Sequence, residues 1–266
     1  MGCSDQPVFD QLNTVKGHPD QQNLASRVRE KLSDKTVRSV RRPLQEVYSI
    51  RSVPQVLGAV RKAYRHARGI LVEELNGVDD NPIVFRKDDE PRVQHGANFV
   101  GQSLALGYDG LNNAITQLGN LIERQLSVLL NPDRNGGFEP MLAEEAGPNS
   151  GLAGAQLNAT AVLSSMRNDA QAYASSSLTT NGGNQDVVPM TMESGRNLLD
   201  QTRRASELLA ILGIALNQYD HKRTRTAGSN EAHNAPDWFP DVEFIRSDRP
   251  LNDEIQSLAD RILEVD

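Results

Sequence analysis

The sequence predicts an all-α protein, a bundle of long helices. Two observations carry that expectation. Aromatic residues are only 5% of the 266 residues, so the core must be filled by Leu, Ala and Val, which suits helix packing better than a sandwich or barrel. Apolar residues also recur at helical spacing over a long run. Leu104, Tyr108, Leu111, Ile115, Leu118, Ile122, Leu126 and Leu129 fall three or four apart, the repeat of one face of an α-helix. At about 1.5 Å per residue such a rod is on the order of 45 Å long, which calls for other long helices, and for further subunits, to cover it.

The elements follow in order. Residues 1–20 carry Pro7, Gly17 and Pro19 and read as irregular. Leu24, Val28 and Leu32, four apart, predict a short helix over about 20–32. A basic connector, KTVRSVRRP, leads into QEVYSIRSVPQV. Residues 54–75, with Val56, Val60, Tyr64 and Leu71, read as a long helix. GVDDNPIVFRKDDEPR reads as a loop, with Asn81-Pro82 as its turn signal. The rod over 101–130 comes next, and Asn131-Pro132 ends it. After the loop NPDRNGGFEPMLAEEAGPN, a second long helix rich in Ala, Gly and Ser covers about 150–174. SSSLTTNGGNQDVVPM interrupts the helices. A third long helix covers about 191–219, with Leu198, Thr202, Ala205, Leu209, Leu212 and Leu216 on one side, and a final helix about 252–263. The organisation is an N-terminal irregular segment with a short helix, residues 1–44, and a helical-bundle domain, residues 45–266. No tandem repeat interrupts it.

Composition removes several function classes. With 28 Lys and Arg against 35 Asp and Glu, the net charge of −7 argues against a nucleic-acid partner. No apolar run reaches the roughly 18 to 20 residues that span a membrane. The start, MGCSDQPVF, has no apolar signal core, and Gln6 stands where a myristoylation site has Ser or Thr. Cys3 is the only cysteine, so no intrachain disulfide forms and a reducing, cytoplasmic setting is expected. His18, His66, His95, His221 and His233 are scattered, without an HxH or HExxH pattern, and no metal site is expected. P-loop, GxGxxG and GxSxG patterns are absent.

Three stretches are too polar for plain bundle connections. In QEVYSIRSVPQV, Gln45, Tyr48 and Arg51 stand at i, i+3 and i+6. A fixed guanidinium binds a carboxylate through two parallel hydrogen bonds. A phenol hydrogen-bonds, or moves a proton when its pKa is lowered. The alternative is a helix junction in which Arg51 pairs with a surface acid and Tyr48 packs. In HGANFVG, Gly96 and Gly101 bracket a loop ahead of the rod. Glycines there allow a ligand to approach closely, with Asn98 satisfying backbone groups and Phe99 walling a pocket; otherwise the loop only caps the helix. In NGGNQDVVPM, Asn184, Gln185 and Asp186 bring amide and carboxylate groups to an interhelical loop. They also suit plain turn bonds, with Asp186 capping the next helix.

Taken in order, these stretches resemble one family, the C-terminal half of the histidine, phenylalanine and tyrosine ammonia-lyases and their aminomutase relatives. In that family a Gln-Asp-x-Tyr-Ser-x-Arg-x-x-Pro-Gln segment recurs, here QEVYSIRSVPQV. An Asp-Asn-Pro loop follows, here Asp80-Asn81-Pro82, then Gly-Gly-Asn-Phe, here GANF ending at Phe99, then Asn-Gln-Asp, here ending at Asp186. The likeness runs from about Val8 to the last residues. It implies that Arg51 binds the substrate carboxylate, that Tyr48 stands near the electrophile and the reacting carbon, and that Gln45 hydrogen-bonds within the site. It further implies that Phe99 packs beside the electrophilic ring with Asn98 holding the loop. Gln185 matches a position that is Glu in histidine-specific members and Gln in phenylalanine- or tyrosine-acting ones; a neutral amide favours an aromatic amino acid without a charge demand. The resemblance also implies a tetramer whose active sites draw residues from three subunits. The fumarase–aspartase group shares the bundle architecture, but its Gly-Ser-Ser-x-Met-Pro loop is absent.

The family's electrophile, methylideneimidazolone, forms from an internal Ala-Ser-Gly, and that tripeptide occurs nowhere in this chain. In the family it lies upstream of the Tyr-Ser-x-Arg segment, as does the mobile loop with the catalytic tyrosine base. The side chains named above include no electron sink that would let an amine leave. The expectation is a split enzyme. This chain would be the helical subunit, inactive alone, and an Ala-Ser-Gly-containing N-terminal-half subunit would bring methylideneimidazolone and the base loop in a tetramer-like hetero-oligomer. The alternative is a non-catalytic scaffold or regulatory paralogue that oligomerises with such enzymes. Smaller departures are Glu46 for Asp, Ala97 for the second Gly, Val100 for His or Gln, and Pro189-Met190-Thr191 for Ser-Met-Gly. They leave the side-chain chemistry mostly intact and bear on substrate identity.

Overall fold

The computed structural model describes residues 6–33, 45–87, 90–227 and 242–264. The chain start and the basic connector lie outside these residues. Among them the helices are α1 (Asp10–Thr14), α2 (Pro19–Ser33), α3 (Tyr48–Arg51), α4 (Val53–Leu75), α5 (Gln102–Leu130), α6 (Pro132–Asn135), α7 (Ala153–Asn168), α8 (Thr191–Ala227) and α9 (Asn252–Leu263). Two strands, β1 (Ile83–Lys87) and β2 (Glu90–Gln94), form an antiparallel hairpin. The all-α expectation holds, with the hairpin as its exception.

The rod α5 is the axis of the molecule. α4 runs antiparallel to it, with Gly107 of α5 opposite Ala67 and Ile70 of α4. α8 runs parallel to it. The Thr191 hydroxyl donates to the Gly101 carbonyl at 2.8 Å where both helices begin, and further along Gly119 faces Leu208. α7 returns antiparallel across both, with Met166 against Gly119. α2 covers α4 so closely that a Cβ on Gly58 would come within 2.9 Å of the Gln21 backbone; a glycine is required there for helix contact rather than for a special backbone angle. The core is Leu126, Leu129 and Leu130 of α5, Leu163 and Met166 of α7, Leu208, Ile211 and Ile214 of α8, and Leu258 of α9. Gln218 of α8 stitches in the chain before α9, donating to the Ile245 carbonyl at 3.0 Å and accepting from the Ile245 N–H at 2.9 Å.

Four sequence expectations are corrected. The stretch read as a loop after Gly77 contains the hairpin, because Ile83-Val84-Phe85 and the segment around Val93 have strand propensity and pair in register, Val84 opposite Val93. Residues 1–20 are not wholly irregular, since α1 forms between the breakers. The second long helix is shorter than expected, ending at Asn168, while α8 continues to Ala227.

The apolar stripe on α5 has the expected period, but its first half is not the part the chain buries. The fully buried positions there are Ala105, Gly107, Asp109, Asn112, Thr116 and Gly119, one residue off the stripe. Small and polar residues let α4 and α8 approach closely. Asp109 accepts from the Ala174 N–H at 2.7 Å, and Asn112 donates to the Ser194 carbonyl at 3.4 Å. Leu104, Tyr108, Leu111, Ile115 and Leu118 remain half-buried, and Leu106 is exposed.

Candidate functional site

The predicted site residues fall into two groups. Gln45, Tyr48 and Arg51 form the first. Arg51 donates from Nη1 to the Gln45 side-chain oxygen at 2.8 Å, and its guanidinium lies 4.5 Å from the centre of the Tyr48 ring. A cation–π contact and one neutral hydrogen bond hold the fork in place and leave its remaining donors free for a planar carboxylate. The alternative of a surface ion pair is not what forms: among the described residues, the partners of Arg51 are an amide and a ring. Nor is Tyr48 buried: the residue is 72% exposed, with the Arg51 guanidinium over its ring.

Asn98, Phe99 and Gln185 form the second group, at the end where α5 and α8 begin. Asn81 accepts the Gly96 N–H at 2.7 Å, which ties the two ends of the hairpin together and places the loop carrying Asn98 and Phe99. The Phe99 ring is 53% exposed. Gly101 stands as the N-cap of α5 with no side-chain cap bond, and its carbonyl accepts the Ala105 N–H at 3.1 Å. Across the joint, Asn181, Gly182 and Gly183 all have positive φ, a tight left-handed turn that Asn and Gly tolerate. The turn brings Gln185 back to Thr180. Their backbones bridge, and the Thr180 hydroxyl donates to the Gln185 Oε1 at 2.8 Å. That bond leaves the NH2 of this exposed Gln185 to donate elsewhere. Asp186 does not cap the next helix, which starts at Thr191.

One subunit does not bring the two groups together. The first lies against α5 at Gln125, whose Nε2 donates to the Ser49 carbonyl at 2.9 Å; the second lies beyond Gly101. At about 1.5 Å per residue the rod separates them by roughly 36 Å. A cleft of about 310 Å³ opens beside Asn98 at the end of α4, but Glu73, Glu74 and Asp79 line it. Three carboxylates suit a cation better than an amino acid's carboxylate. Among the described residues no cluster of His, Cys, Asp or Glu suits a metal ion, and no helix is long and apolar enough to cross a membrane.

The sequence matches the family described as aromatic amino acid lyase over residues 1–236. The chain belongs to the aromatic amino acid lyase family. Its relatives in that family include the tyrosine ammonia-lyase of Cereibacter sphaeroides, 36% identical over 95% of this chain and 52% of that protein. The histidine ammonia-lyase of Natranaerobius thermophilus is 31% identical over 96% of this chain and 50% of that protein. The fold matches the crystal structure of the tyrosine aminomutase from Streptomyces globisporus with a TM-score of 0.84 at 32% identity, covering 98% of this chain and 53% of that one. The chain therefore spans about half the length of the curated relatives it matches.

Sequence reasoning missed Gln125 and Thr180, which hold Ser49 and Gln185. Gln125 lies off the apolar stripe of α5, and nothing in local spacing marks a glutamine that reaches across 76 residues to Ser49. Thr180 was visible only as one of two threonines ahead of Asn181-Gly182-Gly183.

Proposed function

We propose that this chain supplies the carboxylate-binding part of an ammonia-lyase or aminomutase site for an aromatic amino acid: tyrosine, phenylalanine or histidine. The electrophile and the base loop come from outside these 266 residues, on an Ala-Ser-Gly-bearing partner polypeptide in a tetramer-like, cytoplasmic hetero-oligomer. The observation that carries this reading is the Arg51 fork, oriented by Gln45 and Tyr48 on an exposed face. The separation of the two groups, roughly 36 Å by helix rise, supports a site completed between copies.

The residues present fit methylideneimidazolone as a neighbour. Tyr48 and Phe99 offer large ring surfaces that this chain leaves uncovered, suited to a planar electrophile and an aromatic substrate. When bound, that group supplies the electron sink this chain lacks. The chain's own part is positional. Arg51 binds the carboxylate and fixes the α-carbon beside Tyr48, Gln45 keeps the guanidinium in plane, Phe99 walls the ring with Asn98 holding its loop, and the Gln185 NH2 donates to a polar atom on the substrate side chain.

The test is co-expression with an Ala-Ser-Gly half. The pair is expected to co-purify and to release ammonia, or a β-amino acid, from an aromatic amino acid. Arg51→Ala should lower kcat/KM more than tenfold, about 2 kcal/mol of lost charge-assisted bonding. Co-purification with unchanged turnover in Arg51→Ala removes the clamp role. Co-purification with amino-acid binding but no turnover leaves the scaffold reading.

A further inference from the structure

The Tyr48–Arg51 turn is the least self-sufficient part of the proposed site. α3 has four residues, none of them buried. A single helical turn does not hold itself in water. The bonds within it, from the Ile50 and Arg51 N–H groups to the Val47 carbonyl and from the Ser52 N–H to the Tyr48 carbonyl, shape the turn, and Ser52 joins its C-terminal side to α4, accepting the Val56 N–H at 3.0 Å. Arg51, Gln45 and Tyr48 bind one another, so they too would move as a group. The hydrogen bond that ties this group to the rod is Gln125 Nε2 to the Ser49 carbonyl, at 2.9 Å and partly buried.

We infer that Gln125 is a positioning residue, setting the height and angle of Tyr48 and Arg51 through the Ser49 carbonyl between them. Gln125 sits next to Leu126, a residue of the central core, so its own backbone is anchored by packing. The bond ties to that anchored backbone a turn whose residues are only half-buried or exposed. A carboxylate clamp displaced by about 1 Å loses on the order of a hundredfold in rate, so a modest tether has a large lever. For turnover this inference rests on the proposed function; the tether is a property of the chain by itself.

Two measurements test it. In the purified chain, Gln125→Leu removes the donor at similar size. Amide hydrogen exchange over residues 45–52 should quicken roughly fivefold to tenfold, as expected for one lost hydrogen bond. Exchange in the core of α5 and α8, and the thermal midpoint, should stay as in the parent. In the complex with the Ala-Ser-Gly half, Gln125→Leu should raise KM for the amino acid more than it lowers kcat. Gln125→Lys, which restores a donor, should recover kcat/KM to within about threefold. Unchanged exchange over 45–52 overturns the tether. Faster exchange with kcat/KM retained, or no recovery with Lys, overturns the positioning role. If Gln125→Leu fails to fold, Gln125→Glu keeps the volume without the donor and is read in the same way. If the parent complex shows no turnover, the proposed function fails, and the exchange experiment still decides the tether.

Discussion

Asn81 shows what a single side chain does for the site and how little of it a motif reveals. Asp80-Asn81-Pro82 is legible in the sequence as a family signature and a turn, but its task is visible only in space. The Asn81 oxygen accepts the Gly96 N–H, closing the hairpin and seating Asn98 and Phe99. Only an acceptor is needed, so Asn81→Asp keeps the contact, whereas Asn81→Ala leaves Gly96 to water. In the two-half complex, Asn81→Ala should lower kcat/KM about fivefold, near 1 kcal/mol, and Asn81→Asp should stay within about twofold of the parent. Steady-state kinetics on both variants check it, and equal losses would place the role of Asn81 elsewhere. Tyr48 and Arg51 were legible because one helical turn fixes their mutual geometry, and Gln45 because it stands close before that turn in the sequence. Gln125 and Thr180 were not, since their partners come from the fold or from a backbone turn with three positive-φ residues.

At the scale of elements, helices were readable where a single face carried the signal and less so where the partner decided. α4, α5 and α9 lie where expected, and α8 starts as expected but runs on to Ala227. The hairpin was lost among charges and proline, and α7 stops at Asn168, where Asn197 and Arg204 of α8 bind Asp169. The segment between α6 and α7 depends on charge. Lys222 of α8 donates to the Ala143 carbonyl at 2.6 Å and to Glu144 at 3.2 Å, and Arg225 also donates to Glu144. Burial alone would push the Glu144 carboxyl up. The hydrogen bonds from Arg225 and Lys222, with their positive charges, outweigh it and hold the group below its ordinary value of 4.5. Folded Glu144 therefore binds its proton less tightly than the unfolded chain does. The stability it contributes is complete above the ordinary value and is lost as the pH falls through the lowered one. Glu144→Gln should lower the urea midpoint at neutral pH and flatten its decline between about pH 5 and about pH 3. Parallel curves for parent and variant would assign the acid limb to other carboxylates.

For the whole molecule, the family and the bundle were legible in four ordered motifs, whereas the two-ended layout of the site was not, because spacing along a chain does not show which end of a rod a loop joins. The structure gives that layout a consequence. A pocket for an amino acid holds roughly 300 to 1,000 Å³ and is about 10 Å across. Groups about 36 Å apart on one α5 rod do not line the same pocket of one copy. Met192 and Leu199 on α8, Leu157 on α7 and Leu106 on α5 are exposed, apolar side chains suited to packing against other copies. If Arg51 and Phe99 of one pocket come from different copies, two damaged chains should repair each other. Arg51→Ala and Phe99→Ala chains, each assembled alone with the Ala-Ser-Gly half, should both be strongly impaired. Mixed in equal amounts and reassembled, they should recover about a quarter of the parent's activity, because random assembly gives about one pocket in four both intact residues. If both residues served one pocket from the same copy, every mixed pocket would keep one lesion and no recovery would follow. Ammonia release measured against the mixing ratio separates the two cases, and a maximum near equal proportions is the expected outcome.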